Sequence, residues 1–175
     1  MEKKTNIISV RISDQIRTAL ESESEINGIS VNTLINQILS KYIHWDRFTK
    51  EIGVMFLTKP TFRALLSNMD DNQLKILASS SCRSAFRDVA LFIKGELTID
   101  SLIGILDLWL TASNISFRHI KAENGEKYII QHELGKKYSL YLGTAVSAIL
   151  SEVGHIVKNE TATDQNLIFE IAKSK

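Results

Sequence analysis

The sequence has little cysteine and no long apolar run, and each shortage excludes a class of protein. The one cysteine, Cys82, excludes an intrachain disulfide framework and a multi-cysteine zinc site within a single chain. No stretch of about twenty apolar residues is present to cross a membrane, and the first residues lead into a strand instead of a signal peptide. We therefore expect a cytoplasmic protein without a membrane partner.

Recognisable catalytic patterns are also missing. The sequence contains no glycine-rich phosphate loop and no serine-nucleophile elbow. Asp88, Asp100 and Asp107 are scattered along the chain and predict no carboxylate pair. We therefore expect no enzyme, assign no catalytic residue, metal or cofactor, and leave any metal or small-molecule effector open.

Charge of one sign is not in excess either. The 21 basic and 20 acidic side chains leave a net charge of +1, which argues against non-specific coating of nucleic acid. Within residues 1–45, basic and acidic side chains balance. A nucleic-acid complex of this part of the chain would therefore have few phosphate contacts per subunit and a shallow salt dependence.

The most informative pattern lies near the N-terminus, in residues 6–13. Read as a strand, this stretch places one apolar set on one face and a mixed set on the other. The apolar set is Ile8, Val10 and Ile12, and the mixed set is Ile7, Ser9 and Arg11. A lone strand would leave its backbone donors and acceptors unpaired, so we expect it to pair with the same strand of a second copy.

Two helices follow this strand. Ser13 can cap a helix that ends near residue 27, where Gly28 provides a left-handed stop. Ser30 can cap a second amphipathic helix that continues to Trp45. One strand and two helices bury too little surface to fold alone, so the sequence predicts an obligate dimer over residues 1–45.

These residues resemble the ribbon-helix-helix family of DNA-binding proteins, of the Arc, MetJ and CopG type. The resemblance covers residues 5–45, about a quarter of the chain. It rests on an ordered series of short motifs: Ile8-Ser9-Val10-Arg11-Ile12-Ser13, then Ile16 and Leu20, then Asn27-Gly28-Ile29-Ser30, then Leu34-Ile35.

The resemblance implies a two-stranded ribbon in the major groove of double-stranded DNA. By position, Ile7, Ser9 and Arg11 of each subunit would read base edges, although Ile7 departs from the polar residue usual there. The start of the second helix would bind a phosphate. The phosphate-binding candidates are Ser30, Asn32 and Thr33, together with Lys3 and Lys4 on the ribbon side.

The pattern of residues 46–175 predicts a separate α+β domain, which would serve regulation or oligomerisation. Residues 46–48 are a candidate hinge, and 54–57 suit either a strand or a buried helical turn. Helices are expected over 61–66, from 70 or 71 past 82, over 87–94, and from 98 to 110, the last apolar nearly all round and therefore buried. A strand-strand-helix-strand-strand series then covers 116–122, 127–133, 136–153, 155–159 and 167–172.

Three residues of this domain are candidates for binding a ligand or metal. A two-residue turn at Asn124-Gly125 would place His119 opposite Ile130 and make His132 its diagonal neighbour. Such a pair could bind a metal, a haem or an anion, or each histidine could be satisfied by backbone or water. Lys136 begins a helix whose free N–H groups could receive an anion.

The sequence therefore predicts a sequence-specific DNA-binding transcription regulator that acts as a homodimer or a higher oligomer. The domain after residue 45 would set its geometry or act as a sensor domain. Two alternatives stay open. One is an antitoxin-like regulator that binds a protein partner, and the other is a small-molecule or haem sensor that uses residues 1–45 only to dimerise.

Overall fold

The computed structural model describes residues 6–122 and 125–174 of the chain. The chain divides into two compact units, Met1–Asp46 and Arg47–Lys175, which we call the N-terminal unit and the C-terminal unit. Together the units form an α+β protein of helices and a four-stranded antiparallel sheet. None of the described helices is long and apolar enough to cross a membrane.

The N-terminal unit contains helices α1 (Asp14–Ile26) and α2 (Val31–His44), with the predicted caps at both starts. The Ser13 hydroxyl accepts a hydrogen bond from Ile16 N at 3.4 Å. Gly28 adopts φ = 63°, and the next N–H, of Ile29, donates to Ser24 O at 3.0 Å. This left-handed closure confirms the predicted end of the first helix.

The C-terminal unit begins with helices whose limits follow local capping. Thr58 caps α3 (Lys59–Ser67), and Asp70 and Gln73 form a reciprocal capping box at α4 (Asp71–Leu77). A π-helical turn, Ala78–Cys82, joins α4 to α5 (Arg83–Lys94), so α5 starts four residues earlier than the sequence predicts. Thr98 caps α6 (Ile99–Ala112), as expected.

The sheet has the strand order β1-β2-β4-β3, with every neighbouring pair antiparallel. Its strands are β1 (Ser116–Ala122), β2 (Gly125–Gln131), β3 (His155–Ala162) and β4 (Asn166–Lys173), and α7 (Lys136–Ser151) connects β2 to β3. The predicted strand-strand-helix-strand-strand order is therefore confirmed. The last two strands are also neighbours, as expected, although both are longer than predicted.

The core of the C-terminal unit lies where one face of the sheet meets α6 and α7. Tyr128, Ile130 and Phe169 occupy that face and are completely buried. Leu106 and Leu110 of α6 and Leu142, Val146 and Ile149 of α7 complete the core. Burial of α6 follows from its sequence. The helix is apolar nearly all round, and exposing apolar side chains to water would destabilise the fold.

The sequence prediction for residues 54–57 is wrong. These residues form neither a strand nor a buried helical turn. Met55 and Phe56 are instead 77% and 87% exposed in the single chain. The expected hinge at 46–48 is a 3-10 turn, Asp46–Phe48.

The predicted hairpin register is also wrong. Ala122 pairs with Gly125, so residues 123 and 124, which lie outside the described residues, connect the strands. Gly125 is therefore the first residue of β2 and not part of the turn. A Cβ atom there would lie 2.1 Å from the carbonyl oxygen of Ile171 in β4. The glycine is needed for this close approach between strands.

Candidate functional site

Residues 6–13, the predicted DNA-reading segment, are exposed in the single chain. Ile8, Val10 and Ile12 are 81%, 75% and 47% exposed, and Ile7 is 99% exposed. The first described element is α1, so the single chain contains no strand here and the ribbon stays a prediction. Three apolar side chains next to a well-capped helix are thus left facing water.

The apolar exposure continues onto α2. Ile38, Leu39, Tyr42 and Ile43 are each between 45% and 54% exposed. The exposed apolar surface is large for a unit of two helices that buries few apolar side chains. The N-terminal unit therefore has an unburied apolar face formed by two segments of the chain.

Arg11 carries the charge of the predicted reading face. Its side chain is exposed and forms no ion pair with any residue that the structure describes. Arg17, by contrast, donates to Glu21 at 2.8 Å on the surface of α1. Ser9 is exposed as well, whereas Lys3 and Lys4 lie outside the described residues.

The predicted phosphate-binding residues lie together at the start of α2. The Ser30 hydroxyl accepts from Thr33 N at 3.1 Å and contacts the Thr33 hydroxyl at 2.9 Å. The first i to i−4 backbone bond of this region is Leu34 N to Ser30 O, so the N–H groups of Val31 and Asn32 precede it. The helix start can therefore present N–H donors to an anion.

His119 is held by two carboxylates in the C-terminal unit. Its Nδ1 lies 3.0 Å from Asp107 Oδ2 and its Nε2 lies 2.8 Å from Glu126 Oε2. The Tyr128 hydroxyl donates to Asp107 Oδ1 at 2.7 Å, and its ring stacks on the imidazole at 4.4 Å between centroids. We call Asp107, His119, Glu126 and Tyr128 the His119 cluster.

The elements of the sheet explain how this cluster forms. His119 in β1 pairs with Tyr128 in β2. Glu126 precedes Tyr128 by two residues and therefore lies on the same face of the strand. Asp107 reaches the cluster from α6, where it is one of few charged residues. His119 is among the residues that the sequence predicts as candidates, but its partners Asp107 and Glu126 are not. The available signal was Asp107, a charged residue in the middle of a mostly apolar helix.

His132 is completely buried and separate from His119. It lies just beyond the end of β2, four residues from Tyr128, or about 13 Å at the usual rise of a strand. The expected diagonal pair of His119 and His132 is therefore wrong, because His119 faces Tyr128 and not Ile130.

The hydrogen bonds of His132 define its tautomer. Leu134 N donates to its Nδ1 at 3.0 Å, so the ring proton is on Nε2, which donates to Ser139 Oγ at 2.7 Å. The Ser139 hydroxyl donates its own hydrogen bond to Thr163 O at 2.8 Å. Burial, and then the charge of Lys59, lower the pKa of His132 to about 4. Both nitrogens are satisfied by protein groups.

Lys136 begins α7, but a protein carboxylate already occupies the helix start. Lys136 N donates to Asp164 Oδ1 at 3.2 Å, and Gly135 N donates to Asp164 O at 2.9 Å. The neighbouring Lys137 ammonium donates to Met69 O and lies 3.8 Å from Asp71. The carboxylate of Asp164 thus occupies the position where an anion was expected.

The described part of the chain contains no group of three histidine, cysteine, aspartate or glutamate side chains arranged to hold a metal ion. The His119 cluster illustrates the reason. Its two carboxylates contact opposite nitrogens of one ring, so the three groups do not converge on a common point. The cluster is therefore not arranged to chelate a cation.

Comparison with known proteins gives no relative: the chain matches no protein-family model, no curated protein and no solved structure.

Proposed function

We propose that the chain is a DNA-binding transcription regulator that acts as a homodimer of the ribbon-helix-helix kind. In this proposal, residues 6–13 of two copies pair as antiparallel strands, and the resulting ribbon enters the major groove of double-stranded DNA. The C-terminal unit regulates the dimer or sets its oligomeric state, since a domain of this size is more than such a DNA-binding unit needs.

The observation that carries the proposal is the exposure of Ile8, Val10 and Ile12 beside the capped helix α1. Burying an aliphatic side chain contributes about 1.5–3 kcal/mol, so six of them in a dimer contribute on the order of 10 kcal/mol. Association itself costs roughly 4–15 kcal/mol. The ribbon alone therefore only balances that cost.

The exposed face of α2 supplies the additional burial that a stable dimer requires. Ile38, Leu39 and Tyr42 recur at helical spacing and are about half exposed. A second copy would bury this face together with the ribbon, and pairing would also satisfy the backbone of residues 6–13. Both needs are met by one partner of the same sequence.

The opposite face of the ribbon would then meet DNA. Arg11 can form a bidentate contact with guanine, Ser9 can bond to several bases, and Ile7 can contact only a thymine methyl group or a sugar. Ser30, Asn32 and Thr33 would orient the dimer through a phosphate at the start of α2. Lys3 and Lys4 would add phosphate contacts.

The test is sequence selection with the purified full chain, followed by binding measurements on Arg11→Ala. Because the dimer carries two copies and each bidentate contact contributes about 1–3 kcal/mol, we expect specific affinity to fall at least tenfold. Arg17→Ala is the matched control, since Arg17 is an exposed arginine of the same unit that is paired with Glu21. It should retain binding.

Equal specific binding by the wild type and Arg11→Ala would overturn the reading role of the ribbon. A dimer that binds no DNA even at low salt, and that is coloured after purification, would favour the haem-sensor alternative. Fixed stoichiometry with a protein partner would favour the antitoxin-like alternative.

A further inference from the structure

Four consecutive apolar side chains face water near the start of the C-terminal unit. They are Val54, Met55, Phe56 and Leu57, which are 37%, 77%, 87% and 50% exposed in the single chain. We call these four residues the 54–57 segment. Elsewhere in the part of the chain that the structure describes, exposed large apolar side chains occur at most two in a row. Contiguous apolar surface of this kind marks a place that another surface covers.

Hydrogen bonds hold the segment at both ends. Val54 N donates to Thr49 O at 3.0 Å. Thr58 follows the segment directly and caps α3, where its hydroxyl accepts from Thr61 N at 3.4 Å. Because both ends are anchored, covering the side chains costs less conformational entropy than ordering a free tail would.

The segment is large enough to extend an interface but too small to form one alone. A phenylalanine side chain has roughly 150–250 Å² to bury, so the four partly exposed side chains offer on the order of 400 Å² in each copy. A stable interface covers about 800 Å² per partner. The segment therefore fits as one part of a larger contact.

The proposed homodimer provides that larger contact. Val54 follows His44, the last residue of α2, by ten residues. Ten residues reach at most about 35 Å, so pairing of the N-terminal units keeps both copies of the segment close to the dimer contact. Their own contact is then intramolecular, and even a weak apolar contact adds to the stability of the dimer.

We propose that the 54–57 segments of two copies pack against each other and extend the homodimer interface into the C-terminal unit. The four side chains carry no charge, so two copies can meet across a twofold axis without placing like charges opposite each other. The inference rests on the proposed function, because the ribbon and α2 bring the copies together. It gives the C-terminal unit a direct part in stabilising the dimer that binds DNA.

Phe56→Asp in the full chain tests this contact. Phe56 is 87% exposed, so the single chain should keep its fold, which a circular dichroism spectrum checks. The dimer would lose two buried aromatic side chains and gain two charges in an apolar contact. We expect its dissociation constant, measured by analytical ultracentrifugation, to rise by about a hundredfold or more.

Ile76→Asp is the matched control. Ile76 is also an exposed apolar residue of the C-terminal unit, at 67%, but it lies on α4 outside the segment. Its variant should have the dissociation constant of the wild type. Equal constants for the wild type, Phe56→Asp and Ile76→Asp would overturn the inference and leave the ribbon dimer of the proposed function intact.

Val10→Asp separates this inference from the proposed function, because it places a charge on the apolar face of the ribbon. A dimeric Val10→Asp together with a monomeric Phe56→Asp would support the 54–57 contact and contradict the ribbon. A monomeric wild type would overturn both.

Cross-linking determines whether the two segments contact each other. Cys82→Ser removes the one native cysteine, and Phe56→Cys in that background should give a covalent dimer with a short bismaleimide. Ile76→Cys in the same background should not. Absence of the covalent dimer in Phe56→Cys would overturn the contact between segments and favour a different protein as the partner of this surface.

Discussion

At the scale of single residues, His132 shows how hydrogen bonds define a protonation state. Its Nδ1 accepts from a backbone N–H and its Nε2 donates to Ser139, so the neutral ring satisfies both partners. A second proton would break the bond from Leu134 N inside a fully buried site. Burial, and then the charge of Lys59, lower the pKa of His132.

We predict that His132 causes part of the acid sensitivity of the fold. Its pKa falls from 6.5 to about 4 on folding. Between pH 6.5 and pH 4, His132 is protonated in the unfolded chain but stays neutral in the folded chain. The free energy of unfolding should therefore be unaffected above pH 6.5 and decrease by about 3 kcal/mol as the pH falls to 4.

Denaturant unfolding between pH 4 and 7 measures this effect. In His132→Asn that portion of the pH dependence should vanish, although the variant is less stable at every pH because it loses buried contacts. His155→Asn controls for the removal of a histidine elsewhere in the sheet. Parallel profiles of the wild type and His132→Asn would contradict the prediction.

At the scale of elements, the β1–β2 hairpin is a case in which a local sequence signal predicts the wrong strand register. Asn-Gly is a strong signal for a two-residue turn, and it predicts a register that the structure does not have. Gly125 is instead required within β2, because the carbonyl oxygen of Ile171 comes from β4, far along the chain. A contact over this sequence distance leaves no local signal.

We therefore predict that Gly125→Ala is strongly destabilising. The backbone φ of 153° disfavours an L-residue, and the added Cβ would lie 2.1 Å from Ile171 O. Strand β4 has to shift, so we expect a loss of about 3 kcal/mol or more, comparable with severe overpacking.

Gly154→Ala is the matched control for Gly125→Ala. Gly154 also has a positive φ, of 70°, but open space surrounds the position. The free energy of unfolding of Gly154→Ala should fall only by the cost of a left-handed backbone conformation, about 1–2 kcal/mol. Equal losses in urea unfolding of the two variants would show that the close approach to β4 contributes nothing.

At the scale of the whole molecule, the two units differ in how they bury apolar surface. The C-terminal unit has a continuous core between its sheet and its helices. The N-terminal unit leaves Ile8, Val10 and the outer face of α2 exposed. We therefore expect its stability to depend on protein concentration, because the proposed dimer is what buries this face.

Val10→Asp tests this dependence. A charge on the apolar face of the ribbon would be buried without a partner, so the variant should be monomeric, with a mass near 19.7 kDa instead of twice that value. Light scattering after size exclusion measures the change. Ser9→Asp is the matched control, since it places the same charge on the opposite face and should remain dimeric. A dimeric Val10→Asp would argue against the ribbon.

Features that neighbouring residues control can be predicted from the sequence alone. Serine, threonine and aspartate caps and glycine stops define helix ends through bonds within one turn, and periodicity revealed the buried helix α6 and the order of the last five elements. Three features could not be predicted in this way: the hairpin register, the separation of His119 from His132 and the assembly of the His119 cluster. These features depend on contacts between α6, β2 and β4, and such contacts form only when distant parts of the chain pack together.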